Sequence, residues 1–276
     1  MINASIFKNV IRLNLNIFVS IYRHHQLLKE FVLRDIKGRF AGSFAGILWT
    51  IINPLANIIA YFFVFSVVLR INVTVEDVGT DKFILFFLSG FFPWIMFAES
   101  LTKSASSVVA QAGLVTKVIF PVELIPISSI ISAFIINGTG FIIFLIYLSF
   151  TGYANISWFA IPLLVFIELL FALGLSMFLA AFCVFIRDTT EILSIMMMLW
   201  FYATPVLYPN SMIPKELIDI LSFNPMSVFV ECMRDILLRN QIDGILMLKL
   251  FVISVIIFIP CSYFFMRSKS AFGDVL

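Results

Sequence analysis

The sequence predicts an all-α membrane protein with six transmembrane helices, on three observations. Hydrophobic residues make up 62% of the 276 and charged ones only 12%, where a soluble domain is about half apolar and about a quarter charged. Apolar runs approaching the ~20 residues of a spanning helix recur along the chain. Lys and Arg gather beside alternate ends of those runs, the pattern of cytoplasmic positive charge. A soluble enzyme with a polar coat is excluded, and a net charge of +2 sets up no field that calls for nucleic acid. Residues 1–276 read as a single transmembrane domain: a cytoplasmic or interfacial segment over 1–46, a six-span region over 47–266 and a cytoplasmic tail over 267–276.

Lys8 and Arg12 precede a stretch interrupted by Asn14 and Asn16, and no small-x-small cleavage site follows. The segment is therefore expected to be retained on the cytoplasmic side. His25–Phe40 carries Leu27, Leu28, Phe31, Val32 and Ile36 at helical spacing, with Lys29, Arg34 and Lys37 on the other side. That pattern predicts an amphipathic helix lying in the inner interface, with Glu30 and Arg34 as an i,i+4 pair. Ile47–Leu69 is charge-free and long enough to be the first span. Phe83–Ala98 is the second, and Pro93 inside it is tolerable where neighbouring helices satisfy the freed carbonyl. Glu99–Ala112, rich in Ser and Ala, extends that helix into the cytosol. Gly113 is expected to end it, a short Leu114–Phe120 element follows, and Pro121 opens the third span.

From Leu124 to Ile186 the only charge is Glu168. The run is too long for one span, and Thr151–Ser157, with Gly152 and Asn155, divides it into spans three and four. Ile192–Leu207 is the fifth span and Leu250–Met266 the sixth. Between them, Pro214 and Pro225 each suit the first turn of a short helix. Met226, Phe229, Val230, Met233 and Leu237 then recur every three to four residues. With Glu231, Arg234, Asp235 and Arg239 this piece is too short and too charged to span, so Pro209–Gly244 reads as re-entrant or interfacial short helices at the outer face.

With the N-terminus inside, the inner segments hold Lys8, Arg12, Arg23, Lys29, Arg34, Lys37, Arg39, Lys103, Lys117, Arg187, Arg267 and Lys269. The outer side holds Arg70, Lys82, Lys215, Arg234, Arg239 and Lys249. Twelve cations against six place both termini in the cytoplasm of an inner-membrane, multi-pass protein.

Sites of chemistry are few. No G-x-x-x-x-G-K-[ST] run is present, so the chain binds no nucleotide by a P-loop. His24 and His25 read as interfacial polar residues, no catalytic or metal cluster stands out, and Cys183, Cys232 and Cys261 read as structural thiols. Glu168 is the one charge deep in an apolar run, which makes it either a functional acid or a carboxyl hydrogen-bonded between helices. Most aromatic stretches read as lipid-facing packing or interfacial belts. Trp49, Tyr61, Phe62, Trp94, Trp200 and Tyr202 are the candidates for a substrate path, since pyranose faces pack on aromatic rings.

Several segments carry a resemblance. Leu33-Arg34-Asp35-Ile36-Lys37-Gly38-Arg39-Phe40, then Gly46-Ile47-Leu48-Trp49 and Asn53-Pro54-Leu55, resembles the N-terminal part of type-2 ABC exporter permeases of the polysaccharide-export branch. These move O-antigen, capsule or teichoic-acid polymers. Gly113 to Pro121 resembles the family's cytosolic coupling element, Phe185-Ile186-Arg187-Asp188 its turn between spans four and five, and Thr204-Pro205-Val206 with Asn224-Pro225 and Arg234 its outer loop.

The resemblance implies a half-transporter: a second copy of the chain completes the pathway. Two copies of a separate soluble ATPase bind ATP and Mg, and this chain needs no cofactor of its own. It also implies that Arg34, Asp35, Lys37 and Arg39 brace the interface helix. Gly113, Leu114, Val115, Lys117, Val118, Ile119, Arg187 and Asp188 would receive the ATPase stroke, and a lipid-linked polysaccharide would be the substrate. Glu168 departs from the pattern, where a neutral residue is expected. The rival readings are a drug or small-lipid exporter of the same family, and an ATP-independent secondary carrier or channel. A carrier predicts more intramembrane polar residues or an inverted repeat. A membrane transferase for lipid-linked sugars would need an interfacial acid or base, and Glu99, Asp188 and Glu191 stand there without a partnering His.

Overall fold

A computed structural model describes residues 13–14, 16–69, 79–214, 216 and 223–276, which form helices joined by turns and loops with no β-strand element among them. Lys8, Arg12, Arg70, Lys215 and the helix expected after Pro214 lie outside the described residues. The interface helix is α1 (His25–Arg39), and it buries Leu28, Phe31, Val32 and Ile36, the apolar stripe read from the sequence. The Glu30–Arg34 pair gives way to a longer-range bond, because Arg34 Nη2 donates to Gln111 Oε1 at 2.6 Å. The first apolar span is α2 (Trp49–Phe62), continued by a π-helical turn at Phe63–Val68.

The second, α3, runs from Phe83 to Ala110, so the cytosolic extension expected of it forms. Its end falls at Gln111, and Gly113 sits inside the next short helix, α4 (Ala112–Lys117). Gln111 leaves the helical path at φ −109°, ψ 25° while its amide is held by Arg34, which places the break two residues earlier than expected. Helices α5 (Leu124–Phe150) and α6 (Ile161–Phe185) are separated at Thr151–Asn155, where Gly152 takes φ +85°. The sequence therefore places that division correctly.

Helix α7 (Thr189–Tyr202) stops five residues before the expected end, because Pro205 disfavours a helical conformation at Thr204. Its 14 residues reach about 21 Å at 1.5 Å per residue, short of the ~30 Å hydrocarbon core. Helix α8 (Pro225–Arg234) has Pro225 in its first turn and Asn224 as its cap, accepting from Met226 N at 3.0 Å, and a π-helical turn at Asp235–Arg239 extends it. Helix α9 (Gly244–Ser268) begins six residues before the expected span. Asp243 caps it by accepting from Ile245 N and Leu246 N, and Lys249 is accommodated near its start. A last turn, α10, covers Phe272–Val275. Among the described residues, five segments are long and apolar enough to cross a membrane: Trp49–Val68, Phe83–Ala110, Leu124–Phe150, Ile156–Phe185 and Gly244–Val275.

Contacts between helices fix their directions. Phe92 meets Phe141 and Phe144 while Glu99 meets Asn137, so α3 and α5 are antiparallel. Phe97 stacks on Phe171 and Ser176 Oγ donates to Ser100 O, so α3 and α6 are parallel. Phe178–Phe264 and Phe185–Phe272 advance together, so α6 and α9 also run parallel. Gly174 makes that packing possible, because a Cβ there would stand 2.7 Å from Phe258 Cα. Small residues at such crossings let backbones approach closely. Helix α2 lies along α5 with Pro54 against Gly140, yet none of its residues is buried.

Candidate functional site

At the end of the bundle that carries α1, the charges read from the sequence meet partners that no sequence spacing paired them with. Arg39 pairs with Glu99 of α3, whose other oxygen accepts from Asn137 Nδ2 of α5 at 2.7 Å. Lys103 Nζ lies 3.0 Å from Asp35 Oδ2, which also accepts from the Ser132 hydroxyl. The Arg34 guanidinium covers the Phe31 ring at 4.7 Å, and Lys37 stays exposed. Partly exposed pairs of this kind each contribute only about 0–1 kcal/mol. Their consequence is positional: Arg34, Asp35 and Arg39 fasten α1 across α3 and α5. The i,i+4 spacing of Glu99 and Lys103 was the available signal for their roles.

Above this clamp a cavity of about 300 Å³ opens between α2, α3 and α5, lined by Trp49, Asn53, Asn57, Tyr61, Asn137 and Glu99 among others. Positions 49, 53, 57 and 61 step by four, so one face of α2 presents two aromatics and two amides. In the sequence Trp49 and Tyr61 stand out as aromatics, while the two asparagines between them do not. A second cavity of about 590 Å³ beneath it is lined by Arg34, Asp35, Arg39, Lys103 and Gln111. There each cation already holds a partner: Gln111 for Arg34, Glu99 for Arg39 and Asp35 for Lys103.

The candidate aromatics separate. Trp49 and Tyr61 face the first cavity, whereas Phe62 lines an apolar groove with Ile59 and Tyr147. Trp94 is buried at 4% exposure against Trp200 and Phe201, and Trp200 Nε1 donates to Asn224 Oδ1 at 2.8 Å. Both tryptophans hold the bundle together. Tyr202 is exposed.

In α4, Leu114 and Val115 pack against the protein's own core. Thr116, Lys117, Val118 and Ile119 form the exposed face, with Gly113 also exposed and Val118 already extended. Ile119 is wholly exposed. Arg187 and Asp188 are exposed too, Asp188 at the N-cap of α7. His24 and His25 bond backbone carbonyls through Nδ1, and no group of three or more metal-ligating side chains occurs among the described residues.

At the opposite end, Arg234 is fully buried. Its guanidinium lies 3.7 Å from the Phe86 ring centroid, and it donates to Phe86 O and to Val206 O. Burial pulls its pKa down to about 9, while Glu231, 3.7 Å away, opposes the shift, so it stays charged at neutral pH. Arg239 bridges Glu231 and Asp235, both at 2.6 Å, and burial raises the Asp235 carboxyl against that contact. Burial and three nearby carboxylates push Cys232 up to about 12, leaving an inert thiol. Glu168 is fully buried in α6, and neither of its oxygens meets a hydrogen-bonding group among the described residues. Cys183 is buried as well, and all three cysteines are free.

Comparison with known proteins adds an independent line. The chain is 33% identical over 262 residues to the O-antigen export system permease protein RfbA of Myxococcus xanthus, covering 92% of this chain and 96% of that one. It is 29% identical over 254 residues to the RfbA protein of Klebsiella pneumoniae, covering 91% and 95%. It is 22% identical over 213 residues to the polysialic acid transport protein KpsM of Escherichia coli, covering 76% and 81%. The profile of the ABC-2 type transporter family matches residues 26–238, from the start of α1 to the turn after α8. With most of its helical core inside that match, the chain belongs to the ABC-2 type transporter family.

Proposed function

We propose that this protein is the membrane permease of an exporter that moves a polysaccharide, such as a lipid-linked O-antigen, across the inner membrane. The observation that carries the reading is the likeness to export permeases over more than nine-tenths of the chain. The chain contains no nucleotide-binding run, so ATP and Mg belong to a separate soluble ATPase present in two copies. Two copies of this chain enclose the path. In support, α2 buries no residue fully within the protomer while presenting its stripe of Trp49, Asn53, Asn57 and Tyr61 to a cavity. Amides and aromatic rings side by side suit a sugar chain, which offers hydroxyls at its edges and apolar faces. A drug or small lipid would favour a wholly apolar lining.

Six crossings with both termini cytoplasmic fit the helix directions. Helices α6 and α9 are parallel, so the chain between them returns across the bundle. Helix α7 carries it to the level of Trp94 and Phe97 in the middle of α3. Helix α8 then rises from Asn224, beside Trp200, to Arg234, beside Phe86, as a re-entrant half-helix. The basic clamp of α1, with Lys117, Arg187 and Lys269 at the same end, marks the cytoplasmic face.

Force reaches the spans through the exposed face of α4 and the Arg187–Asp188 turn. An exposed apolar pair beside a cation suits a groove on a partner. The test is removal of this chain from cells that make the polymer. Surface polysaccharide should vanish while polymer accumulates inside, and re-expression should restore both. Undiminished surface polymer would contradict the assignment and turn attention to a drug or small-lipid substrate.

A further inference from the structure

The two cytoplasmic elements assigned to coupling, α4 and the Arg187–Asp188 turn, are separated by some 70 residues of sequence, yet both rest on one short segment, Lys269–Val275. Phe272 is completely buried although it lies beyond the end of α9. Its ring meets Phe265 of α9 at 5.5 Å between centroids and Phe185, two residues before Arg187, at 6.1 Å. The turn it belongs to, α10, packs directly on α4 and on the end of α6. Lys269 Nζ lies 3.2 Å from Glu123 Oε2, and that carboxylate is itself only 3% exposed. Glu123 stands between α4 and α5, so the ion pair ties the start of α5 to the end of α9.

We propose that Lys269–Val275 is a hook that makes α4 and the Arg187–Asp188 turn one mechanical unit, with Phe272 and the Glu123–Lys269 pair as its positioning residues. The inference rests on the reading that these two elements receive the ATPase stroke. A four-residue helix has too little intrinsic stability to persist alone, so its order reflects what it grips. A ring buried between the ends of α6 and α9, on a turn that also packs on α4, resists their separation, because parting them exposes apolar surface. The ion pair closes the fourth side, and a buried carboxylate that loses its cation is left costly. A push on Val118 and Ile119 is then carried through α10 to α6 and α9, as well as along the chain into α5. Without the hook, α4 would yield on its own.

The test uses the full chain co-expressed with its ATPase, in wild type, Phe272→Ala, Lys269→Glu, and the exchanged pair Glu123→Lys with Lys269→Glu. Backbone hydrogen exchange is followed in residues 112–119 and 186–189, alongside co-purification of the ATPase and polymer export. Phe272→Ala should speed exchange in both segments together, by about tenfold or more, as expected when a local unit opens more freely. The ATPase should still co-purify while export falls several-fold. Lys269→Glu should behave likewise, and the exchanged pair should recover protection and export.

Unchanged exchange in Phe272→Ala, or loosening of only one segment, would overturn the hook. Loosening of both with full export would overturn its mechanical role. Failure of the underlying reading has a different signature. Val118→Asp would then leave co-purification and export at wild-type level, whatever the exchange data say of residues 269–275.

Discussion

Glu168 and Arg234 are both fully buried charges in name, and their surroundings assign them opposite consequences. Arg234 is met by a ring face, two carbonyls and a carboxylate. Removing one partner of such a buried set typically costs about 3–5 kcal/mol. Arg234→Ala should therefore lower the thermal midpoint of the detergent-solubilised protein markedly. Arg234→Lys should recover only part of the loss, because an ammonium lacks the planar fork that covers Phe86. Gly90 belongs to the same packing: an added Cβ would stand 2.7 Å from Arg234 Nη2 and 2.9 Å from Val230 Cγ1. Gly90→Ala should cost about 1–3 kcal/mol by overpacking.

Among the described residues Glu168 has no partner to lose. An ionised carboxylate there would cost several kcal/mol, so Glu168→Gln and Glu168→Leu should leave the midpoint unchanged or raised, with export intact. Loss of export in a stably folded Glu168→Gln protein would show instead that the carboxyl carries a proton. Sequence alone exposed Glu168, because a charge in an apolar run is conspicuous. It did not reveal that Arg234 is buried, since a charged residue on a short helix with amphipathic spacing reads the same whether its polar side meets water or another helix.

Among the elements, apolar length and punctuation were reliable guides and side-chain partners were not. The boundary between α5 and α6 was legible because Thr151, Gly152 and Asn155 cluster near the middle of a run too long for one span. The end of α3 was misplaced because Arg34, some eighty residues upstream, draws Gln111 out of the helix, and no local pattern carries that information. The shortness of α7 follows from Thr204-Pro205, a signal present in the sequence but outweighed by the apolar residues around it.

In α4 the sequence offered Leu114, Val115, Val118 and Ile119 as one apolar set, and the fold divides them between the core and the exposed face. That division gives a paired expectation. Val118→Asp should abolish co-purification of the ATPase while leaving expression and the thermal midpoint near wild type. Leu114→Asp, which sets a charge against the core, should lower the midpoint itself. Equal behaviour of the two variants would mean that α4 has no face reserved for a partner.

At the scale of the whole molecule, a clamp at the α1 end, a cavity beside a first span with no fully buried residue, and a short helix anchored on Arg234 at the other end share one bundle. The clamp holds α1 across α3 and α5, and α2, which follows α1 in the chain, borders the cavity. A movement of α1 therefore bears on the cavity wall through residues already in contact. Asn53→Ala with Asn57→Ala should slow export several-fold without loss of assembly or ATPase binding, measured as the rate of surface polymer appearance after induction. The general class was legible from composition and motif order, while the amide and aromatic stripe of α2 gained meaning only once the cavity was visible.

Export of polysaccharide by this chain on the stroke of a separate ATPase is tested most directly in inverted membrane vesicles. Vesicles containing this chain and its ATPase are given lipid-linked polymer outside, and the fraction shielded from an added polysaccharide hydrolase is measured. Shielding should rise with ATP, and should stay at background with a non-hydrolysable analogue or in vesicles lacking this chain. Shielding that rises equally without ATP, on an imposed proton gradient alone, would contradict the account and identify a secondary carrier.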